Sequence, residues 1–133
     1  MKQIAIVEDH PDNRLLVQMI LQGLYDLAAY ETGAEALAGL RQHKPDLLLL
    51  DISLPDMDGA ELLRQLRVDA TLRDLPVVAL TAHAMSGDRE RFLALGFDDY
   101  VAKPIVEEAA LLNAIDGALA RRSGTPEHPG PNL

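Results

Sequence analysis

The sequence predicts an α/β protein, a parallel sheet with a helix after each strand, and three observations carry that prediction. Apolar runs of strand length recur along the chain. The stretches between them show helical spacing and helix-capping residues. The third run, Leu47-Leu48-Leu49-Leu50, has no polar alternation, so both of its faces are expected to be buried, as in the interior strands of a parallel sheet. Asp51 closes that run. An acid placed there stands at the carboxyl end of a strand, where open α/β sheets build their sites.

The elements follow in order. Ile4-Ala5-Ile6-Val7 reads as a first strand ending in Glu8-Asp9. A helix is expected over 12–24, with Leu15, Leu16, Met19, Ile20 and Leu24 as its buried stripe. A short strand is expected over 27–30. Thr32 and Glu35 form a capping box that opens a second helix to about His43, and Pro45 stops it. The third strand ends at Asp51 and a loop covers 52–58. Asp58-Gly59-Ala60-Glu61 opens a third helix through Leu62, Leu63 and Leu66. Val77-Val78-Ala79-Leu80 is the fourth strand, ending in Thr81. Ser86-Gly87-Asp88 opens a helix carrying Phe92, Leu93 and Leu95, and Gly96 suits its C-terminal cap. Asp98 and Asp99 read as a solvated turn. Tyr100-Val101-Ala102 is the fifth strand, ending in Lys103-Pro104. A last helix is expected over 106–121, with Ile105, Leu112, Ile115 and Leu119 on one side. The pattern is βα repeated five times, a doubly wound sheet.

The chain has 133 residues and 48% apolar residues, enough for one domain with a real core. Residues 1–122 are expected to form it. The tail 123–133, with three prolines and two glycines, is expected to be disordered. Net charge is −9, and no basic cluster exceeds Arg121-Arg122, which argues against nucleic acid as a partner. Without cysteine there are no disulfides and no thiolate metal sites. The N-terminus Met1-Lys2-Gln3-Ile4 reaches an acid pair within a few residues, so no signal-peptide core fits there, and no run approaches the length of a membrane span; no membrane association and a cytoplasmic location are therefore expected.

If the strands are parallel, Glu8, Asp9, Asp51, Thr81 and Lys103 converge on one edge of the sheet. Crowded carboxylates repel and rise in pKa unless a cation joins them. Oxygen-only ligands suit Mg2+, which keeps several waters and takes phosphate oxygens as further ligands. Glu8, Asp9 and Asp51 therefore make a plausible Mg2+ site, although the first two could instead cap the first helix. Lys103 and Thr81 suit the equatorial oxygens of a phosphoryl group in transfer. A carboxylate such as Asp51 can act as nucleophile and form an aspartyl phosphate. The blander alternative for Asp51 is a turn residue. Asp56 and Asp58 read as turn and cap residues.

With these residues in place, the chain resembles the receiver domains of two-component response regulators, over about residues 3–121. The matching motifs are Val7-Glu8-Asp9, Asp51-Ile52-Ser53-Leu54-Pro55, Asp58-Gly59, Thr81, Gly96-Phe97-Asp98-Asp99-Tyr100 and Lys103-Pro104. The resemblance implies a flavodoxin-like sheet of strand order 2-1-3-4-5. It implies that Asp51 accepts a phosphoryl group from a phosphohistidine, with Asp9, Asp51 and the backbone carbonyl of Ser53 as Mg2+ ligands and Glu8 acting through water. It further implies Lys103 on a phosphoryl oxygen, a cis Lys103-Pro104 bond, and Thr81 with Tyr100 as a switch pair altering the face made by helix four, strand five and helix five. His83 and Ser53, each two residues past a site residue, are expected to tune the lifetime of the phosphorylated state.

Nothing but the tail follows the last helix, so a single-domain regulator resembling the chemotaxis and DivK types is expected. Its partners would be a sensor histidine kinase or histidine phosphotransfer protein and a downstream protein target. Asn113 in the middle of the last helix, with no cation before Arg121, argues against the dimer that DNA-binding regulators form, so a monomer is expected. Two other readings remain. A Mg2+-dependent phosphohydrolase is disfavoured because Ser53 stands two residues past Asp51, where such an enzyme needs a general acid. A phosphorylation-independent adaptor would have no use for the full site. No enzymatic activity beyond self-phosphorylation and self-dephosphorylation is expected.

Overall fold

The computed structural model describes residues 1–82, 88–103, 105 and 107–122. His83, Pro104 and the tail 123–133 lie outside the described residues, and so do the expectations placed on them. Among the described residues five strands, β1 (Gln3–Val7), β2 (Asp26–Tyr30), β3 (Leu47–Asp51), β4 (Val77–Thr81) and β5 (Asp99–Ala102), form one parallel sheet in the order β2-β1-β3-β4-β5. Five helices alternate with them: α1 (Pro11–Leu21), α2 (Gly33–Gln42), α3 (Gly59–Val68), α4 (Asp88–Leu95) and α5 (Glu108–Arg122).

The sheet separates two apolar layers. Leu48 and Leu50 of β3 pack with Ala5, Val7 and Ala79 beneath α2, α3 and α4. Leu47 and Leu49 pack with Ile4, Ile6, Val78 and Leu80 beneath α1 and α5. All four leucines of β3 are fully buried, as the unbroken run requires. Each contributes roughly 2 kcal/mol of burial, and none has a polar alternative register, so β3 sits at the centre. Strand order reverses between β1 and β3, and the carboxyl ends of these two strands open the crevice of a doubly wound sheet.

The caps read at Thr32, Asp58 and Gly96 are present, while Ser86 and Gly87, expected to open the fourth helix, lie outside the described residues. Thr32 Oγ1 accepts from Glu35 N at 3.1 Å, but the reciprocal bond runs from Glu31 N, not from Thr32 N, to Glu35 Oε1. Asp58 Oδ1 accepts from Ala60 N at 2.9 Å. Gly96 closes α4 with φ +111°, a conformation that glycine adopts without Cβ strain. Gly59 is needed for a different reason. It begins α3 against the end of β3, where a Cβ would stand 2.5 Å from Ile52 Cα and 2.9 Å from Asp51 O.

Two expectations about burial are corrected. The first concerns α1, whose buried residues are Val17 and Leu21. Leu15, Leu16, Met19 and Leu24 are exposed, Leu15 at 56% and Met19 at 61%, and Leu24 lies beyond the helix end. The helix is apolar around most of its circumference, so periodicity does not select a face. The tertiary contacts select it: Arg14, Val17 and Leu21 recur at helical spacing, and Arg14 must face the loop after β1. The second concerns Asp98, which is not a solvated turn residue but 8% exposed. Its Oδ2 accepts from Val77 N at 2.7 Å and lies 3.5 Å from Arg67 Nη2. Arg67 also donates to the carbonyls of Arg73, Leu75 and Gly96, and Arg121 donates to Asp98 O. This polar knot joins α3, β4, the turn before β5 and α5.

Candidate functional site

Glu8 and Asp9 follow β1 directly, and Asp51 ends β3, its neighbour in the sheet. Parallel pairing of Val7 with Leu50 therefore delivers the acids side by side. One carboxylate oxygen from each of Glu8, Asp9 and Asp51 lies within 4.8 Å of the others. Glu8 is fully buried and Asp51 nearly so, while Asp9 is exposed. The helix-capping alternative for the acid pair is not realised: the N-cap of α1 is His10, without a side-chain cap bond. Glu8 Oε2 instead accepts from His10 N at 3.1 Å.

Lys103, just past β5, places its ammonium between two of the acids, 3.2 Å from Glu8 Oε1 and 3.1 Å from Asp51 Oδ1. The same Asp51 oxygen accepts from Ser53 N at 3.0 Å. Burial pushes the Glu8 carboxyl above its ordinary value, and hydrogen bonding to Asp51 and Asp51's charge push it the same way. The His10 N–H and the Lys103 charge pull it down without cancelling the rise. Burial also works against the Lys103 charge, but the carboxylates of Asp51 and Glu8 outweigh it and raise that ammonium's pKa.

Thr81 ends β4, fully buried, and its carbonyl accepts from Lys103 N at 2.7 Å. Tyr100 stands away from the acids. It pairs with Ala79, is half-buried against the α2–α3–α4 layer, and its ring centroid lies 5.4 Å from that of Phe92 in α4. Strand alternation puts Thr81 and Tyr100 on the same face of adjacent strands.

Two residues at the site edge were not picked out as such from the sequence. Arg14 donates through Nη1 to Glu8 O at 2.8 Å. Asp56 accepts from Gly33 N at 2.9 Å and Ala34 N at 3.0 Å, so the loop after β3 caps α2 across 23 residues of chain. These N–H groups, Gly33 first, hold the Asp56 carboxyl below its ordinary value. The only sequence signal for either was its type: an arginine one turn into α1, and an acid in a loop.

The donor set fits Mg2+. All candidate ligands are oxygens, and three carboxylates against one ammonium leave two negative charges, the charge one divalent ion neutralises.

A sheet of order 2-1-3-4-5 with an acid cluster and a lysine at its switch point defines a CheY-like receiver architecture. The chain belongs to the response regulator receiver domain family, whose sequence profile matches residues 4–116. It is 42% identical over 105 residues to the polar-differentiation response regulator DivK of Brucella anthropi, spanning 78% of this chain and 85% of that protein. A CheY-like response regulator receiver domain protein from Methanospirillum hungatei is 30% identical, with a TM-score of 0.79 over 92% of this chain and 97% of the other. The receiver domain of a sensor histidine kinase from Pseudomonas aeruginosa is 34% identical, with a TM-score of 0.77 over 93% and 98% of the two chains. That crystal structure has a magnesium ion coordinated in its active site cleft. The chain is thus a DivK-like receiver of two-component signalling.

Proposed function

We propose that this protein is a phosphorylation switch in which Asp51 takes a phosphoryl group from the phosphohistidine of a sensor histidine kinase or histidine phosphotransfer protein. The observation that carries the reading is Asp51 itself, nearly buried, next to two further carboxylates and 3.1 Å from the Lys103 ammonium. Ser53 N and Lys103 both hold Asp51 Oδ1, which leaves Oδ2 to attack phosphorus. The O–P bond forms as the P–N bond breaks, and the imidazole leaves with the electron pair. Lys103 then contacts a phosphoryl oxygen, exchanging a carboxylate partner for a more highly charged one. Glu8, Asp9, Asp51 and the Ser53 carbonyl are the groups that would hold Mg2+, which when bound supplies positive charge to the phosphoryl oxygens.

Thr81, one strand over, donates its hydroxyl to the phosphoryl group, and Tyr100 on the same sheet face follows. The surface of α4, β5 and α5 then presents a changed face to a downstream protein. Ser53, beside Asp51, tunes how fast water reaches the acyl phosphate. The donor docks on α1, whose exposed Leu15, Leu16 and Met19 follow the acid pair along the chain, and on Ile105 in the loop after Lys103. The chain acts catalytically only on itself. Its place is the cytoplasm, where such kinases present their phosphohistidines; no helix among the described residues is long and apolar enough to cross a membrane.

The test is incubation with Mg2+ and acetyl phosphate followed by intact mass measurement. One phosphoryl mass should be added to the wild type and none to Asp51→Asn or to chelator-treated protein. Modification of Asp51→Asn would overturn the assignment.

A further inference from the structure

Between β1 and α1 the chain turns within three residues, Glu8, Asp9 and His10, and two of them carry carboxylates of the acid cluster. The bend must send Glu8 into the interior and Asp9 to the surface. A bend this short leaves backbone carbonyls outside the sheet and helix ladders, and they need donors. Arg14 supplies them from the first turn of α1. Its Nη1 donates to Glu8 O at 2.8 Å and stands 3.5 Å from Asp9 O, while Nη2 lies 3.8 Å from Glu31 Oε2 just past β2. The Arg14 side chain is only 19% exposed. Glu31 is itself tied back, its N–H donating to Glu35 Oε1 in the first turn of α2.

We propose that Arg14 is a positioning residue for the Mg2+ site, its guanidinium fixing the bend that brings the Glu8 and Asp9 carboxylates up to Asp51. The proposal rests on the reading of the acid cluster as a Mg2+ site. Arg14 has two effects of opposite sign. As a nearby cation it repels Mg2+, so its removal would tighten binding. As a clamp it holds two carboxylates in place, so its removal would weaken binding. The clamp wins for two reasons. The charge is already met by Glu31 and two carbonyls, and Mg2+ demands near-ideal octahedral geometry at about 2.0–2.1 Å, which ligand drift of a fraction of an ångström spoils. Lysine cannot replace it, because a single ammonium lacks the planar fork that spans the carbonyls and Glu31 at once.

The experiment measures divalent-ion affinity without any phosphoryl donor on the full chain. Mn2+ binding is read from the loss of its free-ion paramagnetic resonance signal, and Mg2+ from competition. Wild type, Arg14→Lys and Arg14→Gln are compared, with melting curves in chelator for each. Both variants should bind about tenfold more weakly, the scale seen when groups supporting metal ligands are removed, while melting close to wild type. Lysine should not rescue. Tighter binding by Arg14→Gln with unchanged Arg14→Lys would show that only charge matters and overturn the clamp. So would weaker binding that appears only together with a large fall in melting temperature, which assigns Arg14 to the fold. Wild type that binds neither ion removes the metal reading and the clamp together. Wild type that binds while both variants match it removes the clamp alone.

Discussion

Replacing Asp98 tests how the polar knot at the start of β5 is held. Asp98→Ala takes the acceptor from the Val77 N–H, a buried donor at the first residue of β4. A charge-assisted bond to a buried N–H is worth about 2 kcal/mol once the unmet donor is counted. The variant also removes the carboxylate facing Arg67. Arg67 keeps the carbonyls of Arg73, Leu75 and Gly96, so that loss adds only ~1 kcal/mol, near the value of a partly screened pair. Asp98→Ala should therefore cost about 3 kcal/mol. Asp98→Asn keeps an oxygen for the Val77 N–H and should cost only ~1 kcal/mol. Urea unfolding followed by circular dichroism measures both. With a urea slope of ~1.5 kcal/mol per molar, the alanine midpoint should fall by about 2 M and the asparagine midpoint by less than 1 M. Equal losses for the two variants, or an alanine loss below ~1 kcal/mol, would refute the reasoning, because the buried N–H bond would then not be the dominant contribution.

Other outcomes follow from the site. Gly59→Ala should destabilise by about 2 kcal/mol, as overpacking does, because its Cβ meets the backbone of Ile52 and Asp51 at 2.5 and 2.9 Å; thermal melts check this, and phosphorylation from acetyl phosphate should slow as well. Glu8→Gln should be more stable than wild type at pH 7 without Mg2+. The folded Glu8 pKa lies above its ordinary 4.5, so between those two values the folded state binds more protons than the unfolded state, and stability falls as pH rises. The advantage of Glu8→Gln should thus shrink as pH is lowered through that window; melting curves that stay parallel would contradict it. Leu15→Asp and Met19→Asp change exposed positions of α1 and should leave stability within about 0.5 kcal/mol. Both should slow transfer from a phosphohistidine donor while sparing acetyl phosphate, and equal slowing of the two donors would count against docking on α1.

The parts legible in the sequence were those in which one residue pattern admits one structure. Leu47 to Leu50 offer no polar face, so β3 had to be interior, and Asp51 had to stand at its carboxyl end. Runs ending in Glu8-Asp9, Thr81 and Lys103 could share an edge only in a parallel sheet, and the strands do pair in parallel. Thr32 and Asp58 capped the helices expected of them, because a cap is a bond across two or three residues and needs no knowledge of the rest of the chain.

The tertiary structure alone decided what depends on orientation or distant partners. Six apolar residues between positions 15 and 21 could have buried several faces of α1, and the contacts of Arg14, Val17 and Leu21 with the sheet side settled its rotation. Asp98 has the composition of a surface turn. It is buried because the Val77 N–H and the Arg67 fork meet there, 21 and 31 residues away along the chain. Asp56 likewise reaches α2 from the loop after β3, 23 residues away along the chain. A local pattern specifies which residues are apolar and where a helix can begin. Which polar group pairs with which across the fold is specified only when packing brings the two together, and where the pair is buried, as at Asp98, the low local dielectric strengthens the bond.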